Sequence, residues 1–238
     1  MELKIGSYNI AAMSKCGHNP TLIAGDILKQ ELDIVGLQEV DRLAARSRYL
    51  DMMKALSEET GYQYYYFAHA IDLPGDEATY GQKGEYGLGI LSKYPIVAAD
   101  HIRLNSGTRE QRILAHAEID VDGTTVHFFN THLSYEDNAI RAAQLEVVNR
   151  HIAACEPRIL TGDFNVRSLR ELEALSSVRR AVNEENPLKT YLTDDWESGN
   201  LDNICFSHDF ALKESHLHDQ IHSDHVLLIA TLTLAAEK

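Results

Sequence analysis

Cysteine is scarce in this chain: Cys16, Cys155 and Cys205 are all that 238 residues contain, odd in number and far apart. No C-x-x-C pair and no Cys/His zinc spacing is present, so neither a disulfide framework nor a structural zinc site is indicated. Long apolar runs are missing too. The most apolar late stretch, Val226 to Ala236, is too short and too threonine-rich to span a bilayer. The start, Leu3-Lys4-Ile5-Gly6-Ser7-Tyr8-Asn9-Ile10, has no basic region leading into an apolar one. The expectation is a cytoplasmic chain without integral membrane association. Basic residues are outnumbered, 22 Lys and Arg against 36 Asp and Glu, for a formal net charge of −14. Such a surface repels phosphate backbones at long range and has no basic run to lie in a groove. Long duplex DNA is therefore disfavoured as a partner, while a local cationic or metal-bearing cleft stays open. No low-complexity linker or fixed-period repeat divides the chain, which predicts one domain over residues 1–238, long enough to bury a sizeable core. Nothing marks an obligate protein partner.

What the chain does contain is a series of short apolar runs that end abruptly in polar residues. The clearest is Arg158-Ile159-Leu160-Thr161-Gly162-Asp163-Phe164-Asn165, the pattern of a buried strand delivering polar groups to its C-terminal edge. Leu3 to Ile10 reads as a strand ending near Asn9, and Asp33 to Val40 as one that reaches Glu39. Pro20 opens a helix whose apolar face is Leu22, Ile23, Ile27, Leu28 and Leu32. A second helix is expected around Tyr49 to Thr60, stopped by Gly61. Tyr62 to His69 is expected as a strand, and Asp72 to Glu85 as an exposed loop near the mouth of the site. Tyr86 to Ser92 and Ile96 to Leu104 read as strands. Arg112 to Val121 and Thr124 to Leu133 form a predicted hairpin across Asp122-Gly123. Glu136 to Ala154 and Leu169 to Arg179 are predicted helices, with Arg179-Arg180 a helix C-terminus. Leu201 to Ser207 and Val226 to Leu234 complete the strands. Mixed strands with interspersed helices and a hairpin predict two mixed sheets packed face to face with helices outside. Ile34-Val35-Gly36-Leu37-Gln38-Glu39 is faintly echoed by Ile159-Leu160-Thr161-Gly162-Asp163.

Buried strands in such layouts carry chemistry at one edge. The candidates are Asn9, Glu39, Arg112, His132, Asp163, Asn165, Asp202, Asp224 and His225. Carboxylates and amides without cysteine favour a hard cation, Mg2+ or Mn2+, over zinc. Each residue also has a structural reading. Asn9 suits a turn, Glu39 a solvated strand end, Asp163 and Asn165 a helix cap or Asx-turn, His132 a core histidine, and Asp224-His225 a turn before a strand. Tyr62, Tyr64, Tyr65 and Tyr66 suit base stacking or, more simply, the two faces of a strand. His208, His216, His218 and His222 fit no standard metal spacing and read as a solvated loop.

Taken in order, Ser7-Tyr8-Asn9-Ile10, Leu37-Gln38-Glu39-Val40, Gly87-Leu88-Gly89-Ile90-Leu91-Ser92, Asn130-Thr131-His132-Leu133, Thr161-Gly162-Asp163-Phe164-Asn165, Leu201-Asp202-Asn203-Ile204 and Ser223-Asp224-His225 resemble the endonuclease/exonuclease/phosphatase superfamily. That group includes DNase I, exonuclease III type enzymes, neutral sphingomyelinases, deadenylases and inositol polyphosphate 5-phosphatases. The resemblance implies an α/β fold of four layers, an α/β/β/α sandwich. It implies a divalent-metal phosphoesterase in which Glu39 is the principal metal ligand, with Asn9, Asp224 and Asp163 on the metal side. Asp163 would also orient or deprotonate the attacking water, and Asn165 would hold that water or a phosphate oxygen. His225, steered by Asp202, would stabilise the phosphoryl group. His132 would protonate the leaving oxygen or touch the phosphate, and Arg112, or Arg109 in its place, would pair with a non-bridging oxygen. Asn203, and the lack of a proline two places after His225, depart from the usual pattern. Three functions follow from this reading. The first is a Mg2+- or Mn2+-dependent hydrolase acting on a small-molecule or lipid-headgroup phosphodiester. The second is an endonuclease or exonuclease acting on DNA, and the third a non-catalytic binding protein on the same fold.

Overall fold

A computed structural model describes residues 1–193 and 199–235. The parts of the expected 1–238 domain at 194–198 and 236–238 lie outside the described residues. The described residues form twelve strands and three α-helices. In order these are β1 (Glu2–Asn9), α1 (Pro20–Lys29), β2 (Ile34–Arg42), α2 (Met52–Thr60), β3 (Tyr64–Leu73), β4 (Gly84–Ser92), β5 (Ile96–Leu104), β6 (Arg112–Val121), β7 (Thr124–His132), α3 (Asn138–Ile152), β8 (Arg158–Asp163), β9 (Arg179–Arg180), β10 (Asp202–Phe206), β11 (Phe210–Leu217) and β12 (Leu228–Leu234). Short 3-10 helices cover Ala11–Cys16, Ala45–Ser47, Glu77–Thr79 and Leu169–Ala174.

The strands make two six-stranded mixed sheets, ordered β11-β12-β1-β2-β4-β3 and β5-β6-β7-β8-β10-β9. Each sheet contains one parallel pair, β1 with β2 and β7 with β8. Parallel neighbours need a crossover, and α1 and α3 supply them. This is the physical form of the sequence echo: Glu39 and Asp163 lie on the second strand of equivalent parallel pairs.

Strand alternation divides the core into three layers. Ile5, Ile34, Ile90, Ala117, Phe128 and Ile159 meet between the sheets. Val35 and Leu37 turn the other way, against Ile23 and Ile27 of α1 and Met53 and Leu56 of α2. Phe129 and Leu160 face Leu145, Val148 and Ile152 of α3. The result is the expected four-layer α/β/β/α sandwich. Asn130 pins the sheets together from within. Its amide donates to Leu37 O (2.8 Å) and Gly89 O (2.9 Å), while its oxygen accepts from Gln38 (2.7 Å) and Thr161 (3.2 Å). The approach is so close that a Cβ on Gly36 would lie 1.9 Å from Thr161 Oγ1.

Local chemistry sets most boundaries. Asn19 caps α1 with Pro20 in its first turn, Asp51 caps α2, and Asp137 caps α3. Gly61 ends α2 in the left-handed region at φ 74°. Asp122 and Gly123, at φ 52° and 90°, turn the β6–β7 hairpin.

Four expectations need correction. The helix predicted over Leu169 to Arg179 stops at Ala174, where the chain leaves its capped 3-10 turn. Arg179–Arg180 is an edge strand on β10, not a helix end, with the Arg180 guanidinium donating to Leu172 O at 2.5 Å. The expected 72–85 loop shrinks at both ends because β3 and β4 pair as far as Leu73 and Gly84. The segment expected as a loop around His208 to His222 contains β11, a bulged edge strand whose solvent face is polar and so lacks apolar alternation. The last strand begins at Leu228, not Val226. Among the described residues, no helix is long and apolar enough to cross a membrane.

Candidate active site

Strands of both sheets and the loops that follow them meet in a cleft of about 740 Å3. Glu39, Arg112, His132, Asp163, Asn165, Asp224 and His225 line it. Asn9 and Asp202 lie behind that wall, bonded to it. All nine sequence candidates thus converge.

A bulge puts Glu39 there. The β2–β4 ladder runs Leu37↔Gly89 and then Val40↔Gly87, so Gln38 and Glu39 together face one residue of β4. Glu39 takes up φ 55° in this bulge. Bulges commonly re-aim a side chain beside a site. Here Gln38 stays buried against Asn130, and Glu39 turns to the cleft. Asn9, at the end of β1, donates from one amide nitrogen to Glu39 Oε1 and to Asp163 Oδ2, both at 3.0 Å. Its oxygen accepts the Ala11 N–H at 3.0 Å, which fixes the amide's orientation. Asn9 therefore couples the two sheets at their shared edge.

Asp163 ends β8 opposite His132, which ends β7. Its Oδ1 accepts the Asn165 N–H at 3.0 Å in an Asx-turn, with Asn165 at φ 52°. The structural reading of this pair is thus correct, and it leaves Oδ2 for the cleft. His132 Nε2 and His225 Nε2 approach Oδ2 to 3.5 and 3.6 Å. The Asn165 amide donates one N–H to Leu133 O at 3.0 Å and keeps a second. His225 Nδ1 meets Asp202 Oδ2 at 2.7 Å.

Burial and charge set distinct protonation states. Burial pushes Asp163 up to about 7, with Asp202 adding to the rise and His225 opposing it. Burial acts against a charged His225, yet the Asp202 and Asp163 carboxylates outweigh it and raise the imidazole to about 10. His132 moves the other way: burial first, then the Arg112 and His225 charges, hold it well below the usual imidazole range. His132 Nδ1 is buried without a hydrogen-bond partner among the described residues. Burial also raises Glu39, partly offset by the Asn9 hydrogen bond.

Arg112 and Arg109 both reach the cleft. Arg112 is buried and pairs with Glu110 at 2.8 Å, whereas Arg109 is half exposed and sits 3.6 Å from Glu136. Arg112 lies close enough for its charge to act on both Glu39 and His132. Asp224 stands 3.5 Å from Lys15, and its neighbour Ser223 donates to Asn9 O at 2.8 Å.

Of the late histidines, His208 and His216 are exposed, as a solvated segment would have them, but His218 is buried and His222 half-buried. His218 Nε2 and His222 Nδ1 meet the fully buried Asp26 carboxylate of α1 at 3.1 and 2.9 Å, with Tyr8 donating to it at 3.1 Å. This anchor holds the turn that leads into Asp224 and His225. Of Tyr62, Tyr64, Tyr65 and Tyr66, the first is buried and Tyr65 exposed, and none of these four lines the cleft. Residues 72–85 do not line it either.

Sequence reading missed Tyr191, Tyr86 and Arg46, which also line the cleft. The Tyr191 ring packs on His225 with centroids 4.9 Å apart, and Arg46 sits over Tyr86 at 5.1 Å. Tyr86 follows Gly84-Glu85 at the head of β4, a weak signal. Tyr191 comes from irregular chain and carries none.

The donor set tests a metal directly. Glu39 and Asp224 offer carboxylate oxygens with no thiolate, which suits a hard divalent cation, and Asn9, its oxygen taken by the Ala11 N–H, turns its nitrogen to Glu39 and orients it. A largely buried carboxylate lifted by burial is what such a charge would relieve. Asp163, Asp202 and His225 also place ligand atoms within 4.8 Å of one another. There, however, the imidazole is held charged between two carboxylates, and an imidazolium is no ligand.

The model of the endonuclease/exonuclease/phosphatase family matches residues 6–225. The chain belongs to that family. Members are phosphoesterases and typically depend on a divalent metal, which supports hydrolysis of phosphate esters here. No curated protein matches the chain. Among solved structures, an endonuclease/exonuclease/phosphatase from Beutenbergia cavernae is similar at 21% identity, TM-score 0.81, over 98% of this chain and 72% of its own. A mannosyl-6-phosphatase from Bacteroides thetaiotaomicron is similar at 19% identity, TM-score 0.72, over 98% and 100%. D. rerio TDP2, complexed with a single strand DNA product, is similar at 16% identity, TM-score 0.74, over 98% and 99%. At these identities the likeness is one of fold.

Proposed function

We propose that this chain is a Mg2+- or Mn2+-dependent hydrolase of a small soluble phosphoester. The observation that carries the reading is the Asn9 amide joined to both Glu39 and Asp163, with two imidazoles of opposite protonation closing on the same Asp163 oxygen. Glu39, oriented by Asn9, and Asp224 would hold the cation, which when bound neutralises phosphate charge. Asp163 Oδ2 aligns the attacking water and accepts its proton, and an acid near neutrality suits that exchange at physiological pH. His225, kept charged by Asp202, donates from Nε2 to a phosphoryl oxygen as negative charge develops. The second N–H of the Asn165 amide binds the water or a phosphate oxygen. Arg112, close to Glu39 and His132, pairs with a non-bridging oxygen. The neutral His132 is a hydrogen-bond donor to the phosphate and a poor acid for the leaving group, which narrows its two expected roles to one.

The substrate class rests on charge and shape. The cleft gathers Arg46, Arg109, Arg112 and Arg167 within a molecule of net charge −14. Glu39, Glu110, Glu136, Asp163 and Asp224 line it too, so the arginines offer local points for a compact phosphoester rather than a broad cationic face for a long polyanion. The 72–85 segment, which would form a lipid-facing rim, stands off the cleft and gives a lipid headgroup no support. The mannosyl-6-phosphatase likeness supports a small substrate, either a phosphomonoester or a phosphodiester. The likeness to D. rerio TDP2 with its single strand DNA product supports a second reading, a nuclease acting on strand ends. The retained acids and imidazoles argue against a non-catalytic binding protein. Three free thiols are in keeping with a cytoplasmic setting.

A panel of sugar phosphates, aryl phosphodiesters and single-stranded oligonucleotides, each with Mg2+, Mn2+ or EDTA, tests the reading. Metal-dependent turnover of the small esters is expected to exceed that of the oligonucleotides. Faster turnover of the oligonucleotides would replace the first reading with the second.

A further inference from the structure

On the opposite side of the second sheet, away from the cleft, three residues from three elements close on one point. His116 of β6 and His127 of β7 are diagonal neighbours in the hairpin ladder, where His116 pairs with Phe129 and His127 with Glu118. Cys155 comes from the turn after α3. One ligand atom from each lies within 4.8 Å of the other two. His116 Nε2 is 3.0 Å from His127 Nδ1, and the rings are stacked with centroids 5.2 Å apart and 21° between planes. Their spacing in sequence, eleven and twenty-eight residues, matches no zinc motif. Only the hairpin register and the α3 crossover bring them together.

The geometry points to a site for a borderline divalent cation, Zn2+, held by His116 Nε2, His127 Nδ1 and the Cys155 thiolate. Tetrahedral zinc with nitrogen ligands at about 2.0–2.1 Å and sulfur at about 2.3 Å separates its donors by roughly 3.3–3.8 Å. The two imidazole nitrogens need to part by only a few tenths of an ångström to reach that. A second observation agrees. The Asp100 carboxylate of β5, across from His116 in the ladder, lies 3.4 Å from His116 Nδ1. Zinc-bound imidazoles usually donate their outer N–H to a carboxylate, which fixes the tautomer and bares the ligating nitrogen. Here Asp100 favours the proton on Nδ1 and leaves the Nε2 lone pair inward. In the metal-free protein that lone pair accepts the His127 Nδ1–H.

On binding, His127 moves its proton to Nε2 and Cys155 releases its thiol proton, so one proton leaves per ion. The back of His116 is braced by Phe129, stacked at 4.4 Å and 10°. Ring stacking alone accounts for His116, but for neither Cys155 nor Asp100. Beside the three ligands lies a cavity of about 300 Å3, lined also by Arg150 and His151. It leaves room for water or a small ligand at the fourth position. Such an ion would clip the end of α3 to the hairpin on which His132 sits.

The test uses chelator-treated full-length protein, with saturating Mg2+ to occupy hard-oxygen sites and Co2+ as the spectroscopic probe. We expect thiolate-to-cobalt charge-transfer absorption that saturates at one equivalent, persists in Cys16→Ser, and vanishes in Cys155→Ser and His127→Ala. Asp100→Asn should weaken Co2+ binding by about 10–100-fold. A wild-type measurement guards against a variant that fails to fold: excess Zn2+ should protect Cys155 from alkylation, read by peptide mass spectrometry. No charge-transfer band in the wild type, a band surviving Cys155→Ser, or equal Cys155 alkylation with and without Zn2+ would overturn the proposal.

Discussion

At Asp163, three side chains meet one carboxylate oxygen: the Asn9 amide at 3.0 Å and the two imidazoles at 3.5 and 3.6 Å. What separates the imidazoles is their other neighbours. Asp202 grips the far nitrogen of His225 at 2.7 Å, whereas the far nitrogen of His132 has no partner among the described residues. The division of labour can therefore be undone at one residue. In metal-free Asp202→Asn, the largest influence raising His225 is gone, leaving Asp163 and Asp224 to oppose burial. The His225 pKa should fall from about 10 toward the ordinary imidazole value. An NMR titration of the imidazole reads this directly, and an unmoved pKa would show that Asp202 does not set the charge. The identities and order of these residues were legible in the sequence, because apolar runs that stop in acid, amide or imidazole are a local pattern. Their protonation states were not, because burial, Arg112 and the far-nitrogen partners come from distant segments. Tyr191 was hidden for the same reason: only the fold stacks it on His225.

Elements place these residues through a few specific devices. The bulge at Gln38–Glu39 divides two adjacent residues between the sheet interface and the cleft. The Asp26 anchor fixes the turn before Asp224 by joining α1 to His218 and His222. Asp26→Ala leaves those imidazoles and the Tyr8 hydroxyl without their acceptor. Unsatisfied buried groups cost about 1–3 kcal/mol each, so we expect a loss of at least about 2 kcal/mol in urea unfolding. An unchanged midpoint and slope would show that the network does not hold the turn. Helices α1, α2 and α3 were legible from their caps and apolar faces, and the β6–β7 hairpin from Asp122-Gly123. The edge strands β9 and β11 were not. An edge strand has a solvated face and gains its structure from its neighbour, so β11 shows no clean period and β9 is two residues long. The helix expected through Arg179 failed because Leu169, Leu172, Leu175 and Val178 recur every third residue, a period that suits a 3-10 turn, and such turns stay short.

For the molecule as a whole, the two parallel pairs bring Asn9 and Glu39 from one sheet to His132 and Asp163 from the other, and no single sheet carries a complete site. A cation held by Glu39 and Asp224, both carried by the first sheet, would bind only the folded chain. Mg2+ at about 100 times its dissociation constant should then stabilise the protein by about 2.7 kcal/mol. Thermal unfolding with increasing Mg2+ should show this rise in the wild type and lose most of it in Glu39→Gln. The most direct test of the central claim is single-turnover hydrolysis of the best small phosphoester by wild type and Asp163→Ala, with Mg2+ and with EDTA. The account predicts metal-dependent turnover that Asp163→Ala slows by about 10²–10⁴-fold while remaining folded. Turnover that survives EDTA, or a folded Asp163→Ala protein as fast as wild type, would contradict it.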